Sequence, residues 1–252
     1  MRMFGLSSSK CLTLALLTLP TLGAADLPKV TDLMEQAMAN AEAAKDAGAN
    51  ERYEHEMVRL LEKLDSDGAV NESTELRYRV RPADSVLEYD LLEINGKPPT
   101  EAERRADVKR RKKLQSDTGG FKFDRGLMEK YQSEMVGLED LEGRPTYVIR
   151  FWPKQGKLPI RSRADYVLNK SAGRIWIDDE DRALSRIDFK LQEPAKLWWG
   201  LIGSIANMAG GVTLERVEKN VWLPTKVSID MAGRVLFISL DQRIRLRWSD
   251  YR

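Results

Sequence analysis

Residues 173–192 read GRIWIDDEDRALSRIDFKLQ. Two runs rich in β-branched and aromatic residues flank the polar turn Asp178-Asp179-Glu180-Asp181, the pattern of a long antiparallel hairpin. In the second run Ile187, Phe189 and Leu191 alternate with Arg186, Asp188 and Lys190, so one face is apolar and the other charged. An apolar face of that kind needs a cover. The chain after residue 50 reads as further strands laid beside this pair.

Residues 53–61 and 76–81 alternate on either side of the turn Asp65-Ser66-Asp67-Gly68 and predict a hairpin. Residues 86–94 add a strand ended by Asn95-Gly96, with a bulge expected where the alternation slips at Leu91-Leu92. Residues 132–138 and 145–152 predict another hairpin, and 161–168 a brief crossover helix. Strands over 212–218, 221–231 and 234–248 complete the set. In the last, Leu236, Ile238, Leu240, Ile244, Leu246 and Trp248 share a face, opposite Asp241, Arg243, Arg245 and Arg247, which read as solvated.

Two helices and one ambiguous stretch accompany the strands. Residues 26–47 carry Leu27, Val30, Met34, Ala37, Met38 and Ala41 at spacings of three and four, with Pro28 in the first turn and Gly48 as a stop. That stripe suits packing on a sheet. A charged insert over about 98–118 begins with Thr100 and Glu103, a capping box, and reads as a solvated helical excursion despite its basic cluster at 109–113. Residues 196–211 are the most apolar stretch after residue 25, with no charge from Trp198 to Gly211. Their glycines count against an ordinary helix, at about 1 kcal/mol each relative to Ala. A mobile segment over a cavity, a membrane-touching loop and a buried connector all fit that composition.

The N-terminus and composition set the compartment. Arg2 and Lys10 precede or flank a short apolar run at 11–22, and Gly23-Ala24-Ala25 supplies small residues for cleavage, so residues 1–25 read as a signal peptide cut after Ala25. The run is shorter than the roughly 20 apolar residues a membrane span needs. Of 41 basic residues, Arg2 and Lys10 fall in this segment, and the rest balance the 39 acidic ones. A net charge of zero argues against nucleic-acid binding. The only Cys, Cys11, is also removed, so stability has to come from a core and not from disulfides.

Catalytic chemistry has no visible carriers. His55 is the single histidine, which excludes a histidine metal cage or a triad. No G-x-S-x-G elbow, Walker A or G-x-G-x-x-G sequence occurs. The acidic turns at 65–67 and 178–181 remain as calcium candidates, but both read as exposed turn acids. No cofactor and no metal are expected, and the chain reads as not an enzyme.

Gly173-Arg174-Ile175-Trp176-Ile177-Asp178, continued by Leu184-Ser185-Arg186-Ile187, is similar to the sheet-centre hairpin of the outer-membrane lipoprotein carrier (LolA-like) superfamily. Trp222-Leu223-Pro224-Thr225-Lys226-Val227 resembles the W-x-P strand start recurring among LolA-like proteins. The likeness covers about 51–252 and is weaker over the first helix. It implies an α+β fold, a strongly curved antiparallel sheet forming an unclosed half-barrel with helices packed on its concave side, in a single domain over 26–252. It also implies a non-enzymatic periplasmic binding protein or carrier for lipid or lipoprotein acyl chains, of use in outer-membrane biogenesis. The residues expected to bind the ligand are Ile187, Phe189, Leu191, Leu236 and Ile238 in the hollow, with Trp198, Trp199, Leu201 and Ile202 near its mouth. The expected partner is a lipid or an acylated protein, or else an envelope protein. The alternative is a protein-interaction or envelope-stress sensor module whose core is filled.

Overall fold

The computed structural model describes residues 27–83, 86–118, 125–160, 164–197, 203–236 and 238–252, so residues 1–25, expected to be a signal peptide, lie outside the described residues. Helix α1 (Val30–Asp46) and a 3-10 turn (Ala49–Glu51) lead into β1 (His55–Leu64), β2 (Val70–Ala83) and β3 (Val86–Ile94). Helices α2 (Glu101–Thr118) and α3 (Arg125–Lys130) precede the hairpin β4 (Tyr131–Leu141) and β5 (Arg144–Pro153). A one-turn helix α4 (Asp165–Leu168) is followed by β6 (Ser171–Asp178), β7 (Leu184–Leu191) and β8 (Ala195–Leu197). The chain ends with β9 (Gly203–Glu218), β10 (Val221–Val235), β11 (Ile238–Ser239) and β12 (Gln242–Ser249).

The strands form one 12-stranded antiparallel sheet in the order β3-β2-β1-β12-β10-β9-β7-β6-β5-β4, with β8 beside β9 and β11 beside β10. β3 and β4 do not pair with each other, so the sheet is an unclosed half-barrel. The family resemblance puts the 173–191 hairpin at the sheet centre. It lies instead toward the β4 edge, and β10 and β9 occupy the middle.

Register decides which side chains share the concave face. Because side chains alternate along a strand, one aligned residue per strand makes a line across the sheet. One such line runs Ile94, Leu76, Arg59, Leu246, Val227, Val212, Ile187, Ile175, Ile149, Met135 through ten strands. A second, two residues along, runs Leu61, Ile244, Ile229, Gly210, Phe189, Gly173, Phe151. The bulge expected at Leu91-Leu92 is present, since Tyr78 faces Leu91 while Arg77 faces Glu93.

The two main helices cover opposite ends of this face. α1 buries Leu33, Met34, Ala37 and Met38 against Tyr147, Ile149, Ile175, Ile177 and Ile187. It starts after Lys29, whose extended backbone leaves Pro28 outside, and stops at Gly48, held at φ 64. α2 has the expected capping box: the Glu103 carboxylate accepts from the Thr100 backbone N–H at 2.7 Å, and the Thr100 hydroxyl accepts from the Glu103 N–H at 3.3 Å. Most of the helix is exposed, as that reading has it, but the helix is anchored to the sheet. Its Asp107 is 3% exposed and accepts from the buried Tyr78 hydroxyl at 2.8 Å. Polar contacts, not an apolar stripe, attach α2, and so a hydropathy reading sets it in solvent.

Two further expectations need correction. Residues 203–211 belong to β9, which pairs with β10 on one side and, on the other, with β8 at Gly203–Ile205 and with β7 from Ala209 onward. A Cβ on Gly210 would come 2.9 Å from the Phe189 ring, and one on Gly211 would come 2.4 Å from Asp188 Oδ1. The glycines therefore mark a close approach across the sheet and not mobility. The predicted strand 234–248 is broken: β10 continues to Val235, Leu236 turns at φ 52, and β11 folds back on β10. No Gly, Pro or Asn announces that turn, and a leucine with positive φ is unusual.

Two acids of the turn, Asp178 and Asp181, are buried and paired with arginines, while Glu180 is exposed. Asp178 is fully buried and takes a two-point contact from Arg144, Nε–Oδ2 2.6 Å and Nη2–Oδ1 2.8 Å, while accepting the Asp181 N–H at 2.8 Å. Asp181 pairs with Arg216 at 2.8 Å and accepts the Trp222 indole N–H at 3.0 Å. Asn40 donates to the carbonyls of Asp181 and Arg182, which locks α1 onto the same turn. Burial would raise the Asp178 carboxyl, but the Arg144 contact and the turn N–H groups hold it below the usual range. At the β1 end His55 is buried beside Tyr251, ring centres 4.9 Å apart, with Nδ1 3.1 Å from the Tyr53 carbonyl. Burial lowers its pKa against the weaker pull of that hydrogen bond.

Asp178→Ala strands Arg144 and is expected to cost about 3 kcal/mol in chemical denaturation, whereas Asp65→Ala, in the exposed turn, costs under about 1 kcal/mol. The depressed His55 pKa means the unfolded chain binds the proton first. Its contribution is intact above pH 6.5 and is lost as pH falls below that value toward the folded pKa. In His55→Gln, melting midpoints between pH 6.5 and 5 should therefore fall less steeply than in the parent.

Candidate functional strip on the concave face

Between the two helix-covered ends lies a band of the concave face made by β1, β12, β10, β9 and β7. Leu61, Ile244, Leu246, Val227, Ile229, Val212 and Phe189 line it, and all are half-buried. Among the described residues, they belong to none of the four buried clusters. Flanking them, Ile187 is buried beneath α1, and Leu191 is buried with Ala195 and Ile205. The curvature of the sheet shelters these side chains, and among the described residues no helix packs over them. At a strand spacing of about 4.8 Å, the band from β1 to β7 is about 19 Å wide.

Of the residues the sequence assigns to the hollow, Phe189 lies in the band, with Ile187 and Leu191 on its border. Leu236 and Ile238 lie at the β10–β11 turn, 59% and 68% exposed, away from it. Trp198, Trp199, Leu201 and Ile202 lie outside the described residues. The half-buried residues of β12 and β10 are the part sequence reasoning does not single out. Their alternation is visible, but which strands remain uncovered depends on where the helices lie.

One side chain departs from the apolar lines. Arg59 stands between Leu76 and Leu246 on the concave face, half-buried. Three arginines of α2 are already paired. Asp107 Oδ1 accepts from Arg110 at 2.5 Å and Oδ2 from Arg111 at 2.9 Å, and Arg104 lies 3.2 Å from Asp90. Arg111 also stacks 4.9 Å from the Tyr89 ring centre. Burial would raise the Asp107 carboxyl, but its bonds from Tyr78, Arg111 and Arg110 outweigh that and hold it low. Tyr78 is pushed up to about 12, by burial first and by its bond to Asp107 second.

The band offers shape and apolar surface rather than reactive groups. Among the described residues no group of three His, Cys, Asp or Glu side chains could hold a metal ion, and no helix is long and apolar enough to cross a membrane. Asp107→Ala leaves Tyr78, Arg110 and Arg111 without their shared acceptor. Hydrogen exchange of the α2 amides is expected to rise at least about tenfold while that of β5–β7 holds. The Tyr78 ionisation should move down from about 12 in an ultraviolet titration.

No protein-family model matches the chain, and no curated protein matches it. Solved structures are similar to it. A DUF1329 family protein from Desulfovibrio piger has 13% identity and a TM-score of 0.36 over 88% of this chain and 92% of its own. A LolA superfamily protein from Nitrosomonas europaea has 8% identity and a TM-score of 0.34 over 90% and 94%. The MucA/MucB complex of Pseudomonas aeruginosa has 12% identity and a TM-score of 0.27 over 86% and 93%. These scores are low and bear on chain path alone.

Proposed function

We propose that this chain is a non-enzymatic periplasmic carrier, or binding protein, that shelters an acyl chain of a lipid or lipoprotein on the concave band. The observation that supports it is the half-buried apolar strip of Leu61, Ile244, Leu246, Val227, Ile229, Val212 and Phe189, left between two covered clusters. Each methylene removed from water contributes about 0.8 kcal/mol. A groove about 19 Å wide that shields part of a chain is therefore enough for reversible binding. Residues 1–25 would deliver the protein across the inner membrane, and 26–252 would act as one unit. Phe189, with Ile187 and Leu191 at the border, would line the groove, and Trp198, Trp199, Leu201 and Ile202 would stand near its mouth.

A second reading, a protein-interaction module, draws support from the unpaired edge strand β4, where Val136 is 46% exposed and Leu138 36%. A protein that purifies lipid-free with a stoichiometric envelope partner, and loses it on Val136→Lys, would favour that reading.

The carrier reading is tested by native mass spectrometry of gently purified protein and by uptake of a fluorescent fatty acid. The parent should carry lipid mass and take up the probe. Val227→Glu, which sets an unpaired carboxylate in the middle of the strip, should lower uptake at least about tenfold. Protein without lipid that also ignores the probe would sink the reading.

A further inference from the structure

We infer that Arg59 anchors the head of a single-chain amphiphile bearing a carboxylate, with its tail laid along Leu246, Val227 and Val212 toward α1. The inference rests on the carrier reading and specifies its ligand. Nine of the ten residues in the line from Ile94 to Met135 are apolar, and the tenth is Arg59. Among the described residues Arg59 has no hydrogen bond and no ion pair. Asp107 lies near enough to act on it through space, but both carboxylate oxygens are already taken by Tyr78, Arg110 and Arg111. Arg110 adds positive charge on the same side.

A desolvated guanidinium without a partner is a cost to the folded protein. An apolar residue at that position would complete the line. Burial first, and then Arg110, depress the Arg59 pKa, the direction expected for a cation left without an anion. The head-group chemistry follows from the count of free charges. A guanidinium presents two parallel N–H donors that match a carboxylate. A phosphate dianion would need a second free cation, and Arg104, Arg110 and Arg111 are committed to Asp90 and Asp107. The apolar residues begin next to Arg59, at Leu246 and two residues along at Leu61, so head and tail sites are contiguous.

The test compares cis-parinarate with its methyl ester by fluorescence titration of the purified protein. The parent should bind the acid about tenfold more tightly than the ester, the effect of one charge-assisted contact. Arg59→Gln should bring the acid down to the affinity of the ester and leave ester binding unchanged, which also reports an intact groove. Arg59→Lys should keep part of the preference. Arg59→Leu should abolish it while raising the melting midpoint, a result that a purely structural arginine would reverse. Equal binding of acid and ester by the parent, or a preference that survives in Arg59→Gln, would overturn the inference and leave the carrier reading standing. Failure of both probes to bind would remove both. Tighter binding of lysophosphatidate than of oleate would overturn the carboxylate assignment.

Discussion

A curved antiparallel sheet with one apolar face has to cover that face or leave it to something else. Here the register aligns side chains across ten strands, nearly all of them apolar, and among the described residues α1 and α2 do not cover them all. The covered ends become core, and the middle becomes a groove. The proposed function rests on that shortfall.

The two ends are held by different physics. Beneath α1 the contact is aliphatic, Leu33, Met34, Ala37 and Met38 on three β-strands' worth of isoleucines, and Asn40 ties the helix to the buried turn at 181–182. Beneath α2 it is a polar seam, with one carboxylate serving a tyrosine and two arginines, and guanidinium stacking on tyrosine rings. A seam of that kind is specific in geometry but contributes little apolar burial. It also concentrates cations next to the groove, and one of them, Arg59, is left over.

The buried acids show how far turn chemistry can mislead when strands are not yet placed. Four acids in a hairpin turn look like solvated surface or a cation loop. In three dimensions Arg144 from β5, together with Arg216 and Trp222 from the β9–β10 hairpin, closes on Asp178 and Asp181. Those partners are 34 or more residues away in sequence, so no local pattern pairs them. The same holds for Gly210 and Gly211, whose lack of a side chain is explained by Phe189 and Asp188 on a strand some twenty residues earlier.

Much of the fold was legible in the residues alone. Period-two alternation in β1, β2, β5, β7 and β10 is a local property, as are the Thr100–Glu103 cap, the Gly48 stop and the slip at Leu91-Leu92, and each of these needs only neighbouring residues to be read. The turn at Leu236 was not legible, because a leucine with positive φ carries no signal of its own. Nor was the groove. Ile187 and Val212 are apolar to the same degree and face each other across β7 and β9, yet one is buried under α1 and the other is half-open. Sequence determines which face of a strand is apolar, since that depends on alternation along a few residues. Only the tertiary structure decides which part of that face a helix covers and which part stays free, because that depends on strand order and on where two helices far apart in the chain come to rest.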